Sequence, residues 1–264
     1  MPTNQGSLYT SRIIKGGALL PETRAFLKVW DEEAGLKENI DRVRRDNLLG
    51  KSSRSRVDDV LAVLRQRYLG DPAIVKALTY MVKCGVPNDI CDRIFYLYTA
   101  DSDRLLHDIV VQVIYPNFRE FLMSDISALV EHALGQWVSG KMTVSPWSEN
   151  TIVRVRQGLL DALRDFSVLT GAVKKKLNKL HLPVQAFAYI AFALNARKML
   201  PAVGTLENPE WHLFFLSIEE VEKLFLAAHQ EGLLHYQAAG SVIRLEFPTT
   251  NIEEYAHVIV ERSH

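Results

Sequence analysis

The segment from Asn47 to Tyr68 constrains the fold of this chain more than any other. Apolar residues in its second half recur at i, i+3, i+4, i+7 and i+11, which places them on one face of a helix with a period of 3.6 residues. The residues of this face are Val57, Val60, Leu61, Leu64 and Tyr68. A turn rich in glycine and serine comes directly before them. The spacing therefore predicts a helix that packs one face on a core.

Basic and hydroxyl side chains surround the predicted start of this helix. Ser55 followed by Asp58 matches a capping box, and Ser52 or Ser53 could instead cap the helix one turn earlier. With a preceding helix over 36–49, the segment has the size of a helix-turn-helix. Free backbone N–H groups, the helix dipole and nearby cations favour a phosphate at such a start. A solvated helix start between two core helices explains the pattern equally well.

Charge is distributed unevenly along the 264 residues, although the formal net charge is zero. Residues 1–70 contain 13 Lys and Arg against 9 Asp and Glu, and residues 141–198 contain 10 against 3. Residues 199–264 are acidic, with 3 against 10. Local potential rather than net charge decides whether a polyanion is attracted. Two zones of the chain are therefore candidates for contact with nucleic acid.

Cations and hydroxyls in three places are predicted to contact DNA phosphates. The residues are Arg12 and Lys15 on an N-terminal arm, whose residues 8–14 predict a short strand or an extended segment, Lys51, Ser52, Ser53, Arg54 and Arg56 at the helix start with Arg65 flanking, and Lys174, Lys175, Lys176 and Lys179 in the second zone. Lysine is a mobile point charge, so the second zone would hold phosphate without reading sequence. A solvated turn is the alternative for these lysines.

The whole sequence predicts a mainly α fold in three domains. They are 1–70 with an arm and the helix-turn-helix, 71–147 as a helical scaffold, and 148–264 as a winged-helix-like part. In the last domain, a capped helix from Ser217, with Ile218 among its inward side chains, precedes two alternating segments that predict a β-hairpin. Because Glu219, Glu220 and Glu222 stand at the start of this helix, phosphate would be repelled. We expect this helix to face protein, or DNA to meet only the hairpin or the patch from Lys174 to Lys179.

No catalytic, metal or cofactor motif is recognisable in the sequence, and we predict no enzyme, no cofactor, no metal and no small-molecule substrate. Cys84 and Cys91 fit neither a disulfide framework nor a zinc pattern. The clustered aromatics Phe95, Tyr96, Tyr98 and Tyr115 favour a core over a base-stacking surface. The most apolar run, Val184 to Ala196, is shorter than the roughly 20 residues that span a bilayer, so we expect a cytoplasmic protein without a membrane segment.

The first 70 residues resemble the BrxA family, accessory proteins of the BREX phage-defence systems of bacteria. The resemblance lies in YTSRIIKGGALLPETR from Tyr9 to Arg24, in Asn47-Leu48-Leu49 before the serines, and in Arg65-Gln66-Arg67-Tyr68-Leu69. It implies a mostly helical protein that binds double-stranded DNA beside other phage-defence proteins and has no known enzymatic activity. Family members have also been labelled as inner-membrane proteins and as similar to the antitermination factor NusB.

Two other functions remain open on the sequence. The acidic C-terminal part favours a protein-interaction scaffold that never binds nucleic acid. The likeness to NusB favours an RNA-binding protein. Binding to random duplex DNA at low salt separates these from the DNA-binding hypothesis.

Overall fold

The computed structural model describes residues 8–118, 125–171, 175–178, 180–198, 200–240 and 242–263. Within them lie thirteen α-helices and four short strands. The helices are α1 Ile13–Gly16, α2 Leu20–Val29, α3 Leu36–Arg45, α4 Arg54–Tyr68, α5 Pro72–Lys83, α6 Asn88–Ser102, α7 Arg104–Asp108, α8 Ile126–Ser139, α9 Glu149–Asp165, α10 Val184–Lys198, α11 Ala202–Leu206, α12 Ile218–Gln230 and α13 Ile252–Glu261.

The strands form two antiparallel hairpins. β1 Leu169–Thr170 pairs with β2 Lys176–Leu177, and β3 His235–Ala239 pairs with β4 Val242–Glu246. A π-helix at Ile109–Ile114 and 3₁₀ turns at Tyr115–Asn117 and Pro209–Phe214 complete the regular structure of the described residues. The predicted fold class is confirmed, since the chain is mainly helical with a hairpin near the C-terminus. That α12 and the β3–β4 hairpin form a winged helix stays a prediction.

The chain divides into two compact units by its internal contacts. Unit 1 comprises 1–19, 98–181 and 212–215, and unit 2 comprises 20–97, 182–211 and 216–264. Each unit is therefore built from segments far apart in sequence. These units differ from the three consecutive domains expected from the sequence. The three domains stay a prediction, because they concern parts of the chain that would fold independently.

Helix α10 lies at the centre of unit 2. Residues 186–194 are all buried, so this helix is apolar around its whole circumference, which is typical of a fully enclosed helix. Phe187 stacks on Trp211, and Phe192 stacks on Tyr255 with 4.4 Å between ring centroids. The Trp211 indole N–H donates to the carbonyl of Thr205, which satisfies its one buried polar group. The predicted buried helix is confirmed.

Helices α5 and α13 pack together in the same unit, and α2 packs on α5. Helix α12 lies against α10 with Val221, Phe225 and Ala228 buried. Its predicted capping box is present, since Ser217 accepts from the Glu220 N–H and Glu220 accepts from the Ser217 N–H. The expectation that Ile218 faces inward is wrong, because its side chain at the first helical position is 53% exposed.

Helix α9 organises unit 1, with α1 and α8 packed against it. Gly158 of α9 meets the backbone of Ile13, where an added Cβ would lie 3.2 Å from the Ile13 carbonyl oxygen. A larger residue at Gly158 would therefore push α1 away from α9. Ser148 caps α9, with the Thr151 N–H donating to Ser148 Oγ.

Candidate nucleic-acid interface

Helix α4 presents its predicted apolar face to the core of unit 2. Val57, Val60, Leu61, Leu64 and Tyr68 are all buried. Each side chain on this face is removed from water, which contributes about 1.5–3 kcal/mol for a fully buried aliphatic residue. The orientation of α4 is therefore fixed by this face, and its polar side is directed to solvent.

Ser53 is the residue that caps α4. Its backbone is extended, and its Oγ accepts a hydrogen bond from the Arg56 N–H at 3.2 Å. The alternative cap one turn before Ser55 is thus confirmed, and a capping box of Ser55 with Asp58 is wrong. The cap leaves other N–H groups of the first turn without helical partners, as at every helix start.

The turn before α4 is held by the side chain of Asn47. Its amide donates to the Lys51 carbonyl at 2.9 Å and accepts from the Lys51 N–H at 3.0 Å. Helix α3 ends at Arg45 rather than at Gly50, because Asn47 adopts a positive φ of 45° and the Leu48 N–H closes back on the Val43 carbonyl. The Asn47 side chain therefore fixes where the backbone of Lys51 lies.

Lys51 is paired with a carboxylate of the same unit. Its Nζ donates to Glu22 Oε1 from the first turn of α2, and both side chains are mostly buried. Burial opposes ionisation of Glu22, but the hydrogen bond from Lys51 and the charges of Lys51 and Arg56 keep its pKa below the ordinary value. Two of the predicted phosphate contacts thus lie near a permanent anion.

Arg54 and Arg65 differ from Lys51, because neither forms an ion pair with any residue that the structure describes. Both are exposed. They are eleven positions apart, which turns them by only about 20° around the helix axis and separates them by about 16 Å along it. Two guanidinium groups therefore project from one side of α4, with the exposed side chain of Asp58 between them in sequence and turned about 40° from Arg54.

The arginines at the end of α3 are engaged within the protein. Arg44 Nε donates to Asp58 Oδ1 at 2.6 Å, and Arg45 pairs with Asp46. The acid on the exposed side of α4, Asp58, is thereby offset by a neighbouring cation. The polar side of α4 keeps a positive balance.

The second basic zone lies in unit 1, at α9 and β2. Lys174 and Lys179 lie outside the described residues. Lys175 is paired with Asp161 at 3.2 Å and its side chain is only 9% exposed, whereas Lys176 is exposed. Asp161 also pairs with Arg164. Lys175, which belongs to the densest run of lysines in the sequence, is thus partly neutralised by Asp161 of α9.

The predicted N-terminal arm is part of unit 1. Tyr9 forms a parallel bridge with Thr143, and α1 begins at Ile13, so the expectation of a strand or an extended arm over 8–14 holds only at Tyr9. Arg12 and Lys15 are exposed on α1, which is packed on α9. If they contact DNA, they do so from a fixed helix.

A buried cluster anchors this segment, and no local sequence pattern marks it. The Tyr9 hydroxyl donates to Asp108 Oδ2 at 2.7 Å, and Arg104 Nε donates to the same oxygen at 3.1 Å. Burial opposes ionisation of Asp108, but hydrogen bonds from His107, Tyr9 and Arg104 hold its pKa below the ordinary aspartate value. Because 99 positions separate Tyr9 from Asp108, only the tertiary structure reveals the pair.

A family model named BrxA matches residues 7–193, which is more than half of the chain. The chain belongs to the BrxA family. Membership relates it to the BREX phage-defence systems, in which BrxA proteins are accessory components and are not known as enzymes. Helices α2 to α4 and α9 lie within the matched range, whereas α12, α13 and the β3–β4 hairpin lie beyond it.

A solved structure shares the fold. The crystal structure of an uncharacterized protein from Magnetospirillum magneticum is 17% identical and has a TM-score of 0.57. The match covers 81% of this chain and 98% of that one. No curated protein matches the sequence.

Three other possibilities for this BrxA family member are a metal site, an aromatic base-stacking surface and a membrane-spanning helix. Among the described residues, no group of three or more His, Cys, Asp and Glu side chains is placed to hold a metal ion. Phe95, Tyr96 and Tyr98 are buried, which confirms them as core residues, whereas Tyr115 is only partly buried and stacks on His212. In the part of the chain that the structure describes, no helix combines the length and the apolar character needed to cross a bilayer.

Proposed function

We propose that this protein binds double-stranded DNA through the exposed side of α4, mainly at phosphates, as an accessory component of a phage-defence system in the cytoplasm. The observation that supports the proposal is the pair of exposed guanidinium groups, Arg54 and Arg65, that have no ion-pair partner among the described residues. Guanidinium groups donate bidentate hydrogen bonds to phosphate, and Arg54 lies beside the positive end of the helix dipole.

The separation of the two arginines suits duplex DNA. The major groove is about 12 Å wide, and a helix that enters it has phosphates on both sides. With α4 lying across the groove, two long side chains on one side of the helix that start about 16 Å apart along its axis can reach the two phosphate backbones that border the groove. Ser52 and Ser53, both exposed, add hydroxyls at the helix start. Contacts of this kind position a protein on DNA and carry little sequence information.

The experiment is fluorescence anisotropy with a labelled duplex of random sequence, measured over a salt series. If phosphates dominate, the logarithm of the binding constant falls linearly with the logarithm of salt concentration, by about 0.9 for each neutralised phosphate. A flat salt response, or no binding at low salt, would contradict the proposal. Unlabelled RNA of the same length as competitor distinguishes duplex DNA binding from RNA binding, which would show as preferential displacement by RNA.

Helix α12 supports a second role in protein docking. Ile218 and Leu226 are exposed apolar side chains on a helix whose first turn contains Glu219 and Glu220. An apolar surface beside carboxylates suits a basic protein partner, and other proteins of the same defence system are the proposed partners. The double change Ile218→Ser/Leu226→Ser should abolish co-purification with such a partner and leave DNA binding unchanged.

A further inference from the structure

Glu22 lies where a phosphate oxygen would otherwise meet the cations before α4. It reaches the turn from the first turn of α2, and its carboxylate accepts a hydrogen bond from Lys51 Nζ. Arg56 acts on the same carboxylate through its charge. The Glu22 side chain is 15% exposed, so this anion is held within the protein surface instead of moving freely in solvent.

The pairing of Glu22 differs from the other ion pairs around α4. Arg44 pairs with Asp41 and with Asp58 of α4, and all three side chains are exposed. Glu22 and Lys51 also join two elements, but their side chains are only 15% and 24% exposed. A nearby carboxylate repels a phosphate, and Lys51 can bind a phosphate oxygen only by giving up its bond to Glu22.

We propose that Glu22 is a resident anion of the α4 site that competes with DNA phosphate for Lys51 and thereby weakens DNA binding. The inference rests on the proposed function, since it concerns the strength of that same contact. In the free protein Lys51 is neutralised, and the first contacts with DNA fall to Arg54 and Arg65. A polyanion must therefore replace Glu22 as the partner of Lys51 before it can contact all the cations of the α4 site.

The change Glu22→Gln tests this proposal, because glutamine keeps the size and the hydrogen-bond acceptor while the charge is lost. We expect the variant to bind the random duplex on the order of tenfold more tightly at about 50 mM salt, since a like charge beside the phosphate is removed. Its salt dependence should be steeper by about 0.9, because Lys51 then contacts a further phosphate. The measurement is anisotropy over a salt series.

Glu33→Gln is the matched control, since it makes the same charge change at an exposed residue of unit 2 outside the α4 site. It should bind like the wild type. The double variant Glu22→Gln/Lys51→Gln should lose the gain, because the released cation is gone. Thermal unfolding verifies that each variant is folded, and Glu22→Ala, which also removes the charge, must reproduce the gain.

Two failures are distinguishable. Duplex binding by the wild type that Glu22→Gln does not exceed would overturn the inference and leave the proposed function standing. Absence of duplex binding by both proteins at low salt would overturn both. Binding by Glu22→Gln but not by the wild type would support the inference and overturn DNA binding by the unmodified protein. A gain that Glu33→Gln shares, or that persists without Lys51, would also overturn the inference.

Discussion

The two basic zones of the molecule use their cations differently. In unit 1, Arg164 and Lys175 share Asp161, and Lys175 is nearly buried by the arrangement. In unit 2, Arg54 and Arg65 of α4 are exposed and form no ion pair with a described residue. The zone in unit 1 has the denser run of cations in the sequence, but some of its described cations are already paired with Asp161. It therefore offers fewer cations for DNA than its composition suggests.

The reason lies in where the carboxylates stand. Asp161 is three positions before Arg164 on α9, a spacing that lets the two side chains meet on one helix face, and it also reaches Lys175 beyond the helix. On α4 the acid four positions after Arg54 is Asp58, which is held by Arg44 of α3. A run of cations in a sequence is therefore available to bind a ligand only where the nearby carboxylates are paired with other cations.

The largest effect, a loss in the free energy of unfolding, is expected in the buried cluster around Asp108. Asp108→Ala removes the acceptor for Tyr9 and Arg104 and leaves their polar groups buried without it. Losing one partner of a buried ionic cluster costs about 3–5 kcal/mol, so we expect a corresponding loss in the free energy of unfolding. Urea denaturation followed by circular dichroism measures it. A loss below about 1 kcal/mol would show that this cluster is not a structural anchor.

The same cluster predicts a pH dependence. The pKa of Asp108 is lower in the folded protein than in the unfolded chain, so its carboxylate stabilises the fold above the unfolded pKa. This contribution disappears as the pH falls through the lowered pKa. The difference in unfolding free energy between the wild type and Asp108→Ala should therefore shrink on acidification below the ordinary aspartate pKa. A difference that stays constant with pH would contradict the assignment.

The opposite behaviour is expected on α4. The double reversal Arg54→Glu/Arg65→Glu should weaken duplex binding by roughly 100-fold at low salt, because two phosphate contacts become repulsions. Stability should change by less than about 0.5 kcal/mol, since neither side chain is buried or paired. Anisotropy and thermal unfolding test the two parts. Lys28→Glu/Lys223→Glu makes the same charge change at exposed residues of unit 2 and should bind nearly as the wild type.

A third change separates helix capping from phosphate binding at the start of α4. Ser53→Ala removes the acceptor for the Arg56 N–H and should lower the unfolding free energy by about 1 kcal/mol. Ser52→Ala, at an exposed neighbour that does not cap the helix, should leave it unchanged. Chemical denaturation of both variants decides. Equal stability of the two variants would show that the Ser53 cap contributes nothing.

The smallest effect is expected in the second zone. Lys175→Glu/Lys176→Glu should weaken duplex binding by less than about fivefold, because Lys175 already pairs with Asp161 and exposed lysines hold phosphate loosely. The anisotropy assay used for α4 measures it. A loss as large as that of Arg54→Glu/Arg65→Glu would reverse the comparison and make unit 1 the principal DNA contact.

Local patterns predicted much of the architecture. The apolar period of Val57 to Tyr68, the capping box at Ser217 and the hairpin before Phe247 all correspond to elements of the structure. The end of α3 was predicted four residues too late, because the positive φ of Asn47 and its two hydrogen bonds to the Lys51 backbone end the helix earlier. Helix periodicity gives no signal for a left-handed residue other than glycine.

The candidate site was predicted less completely than the fold. The residues Arg54 and Arg65 follow from their spacing on one helix, but their availability depends on which carboxylates face them. Glu22 was absent from the predicted site, since its pairing with Lys51 joins segments 29 positions apart. No pattern within a window of one or two helical turns can reveal such a pair.

The sequence by itself determined the helical class, the apolar face that orients α4 and the cations that flank this face, because these depend on residue spacing along one helix. Only the tertiary structure decided which charges remain available. Coulomb interactions depend on distance in space, and folding brings Glu22 to Lys51 and Asp161 to Lys175 while Arg54 and Arg65 face solvent.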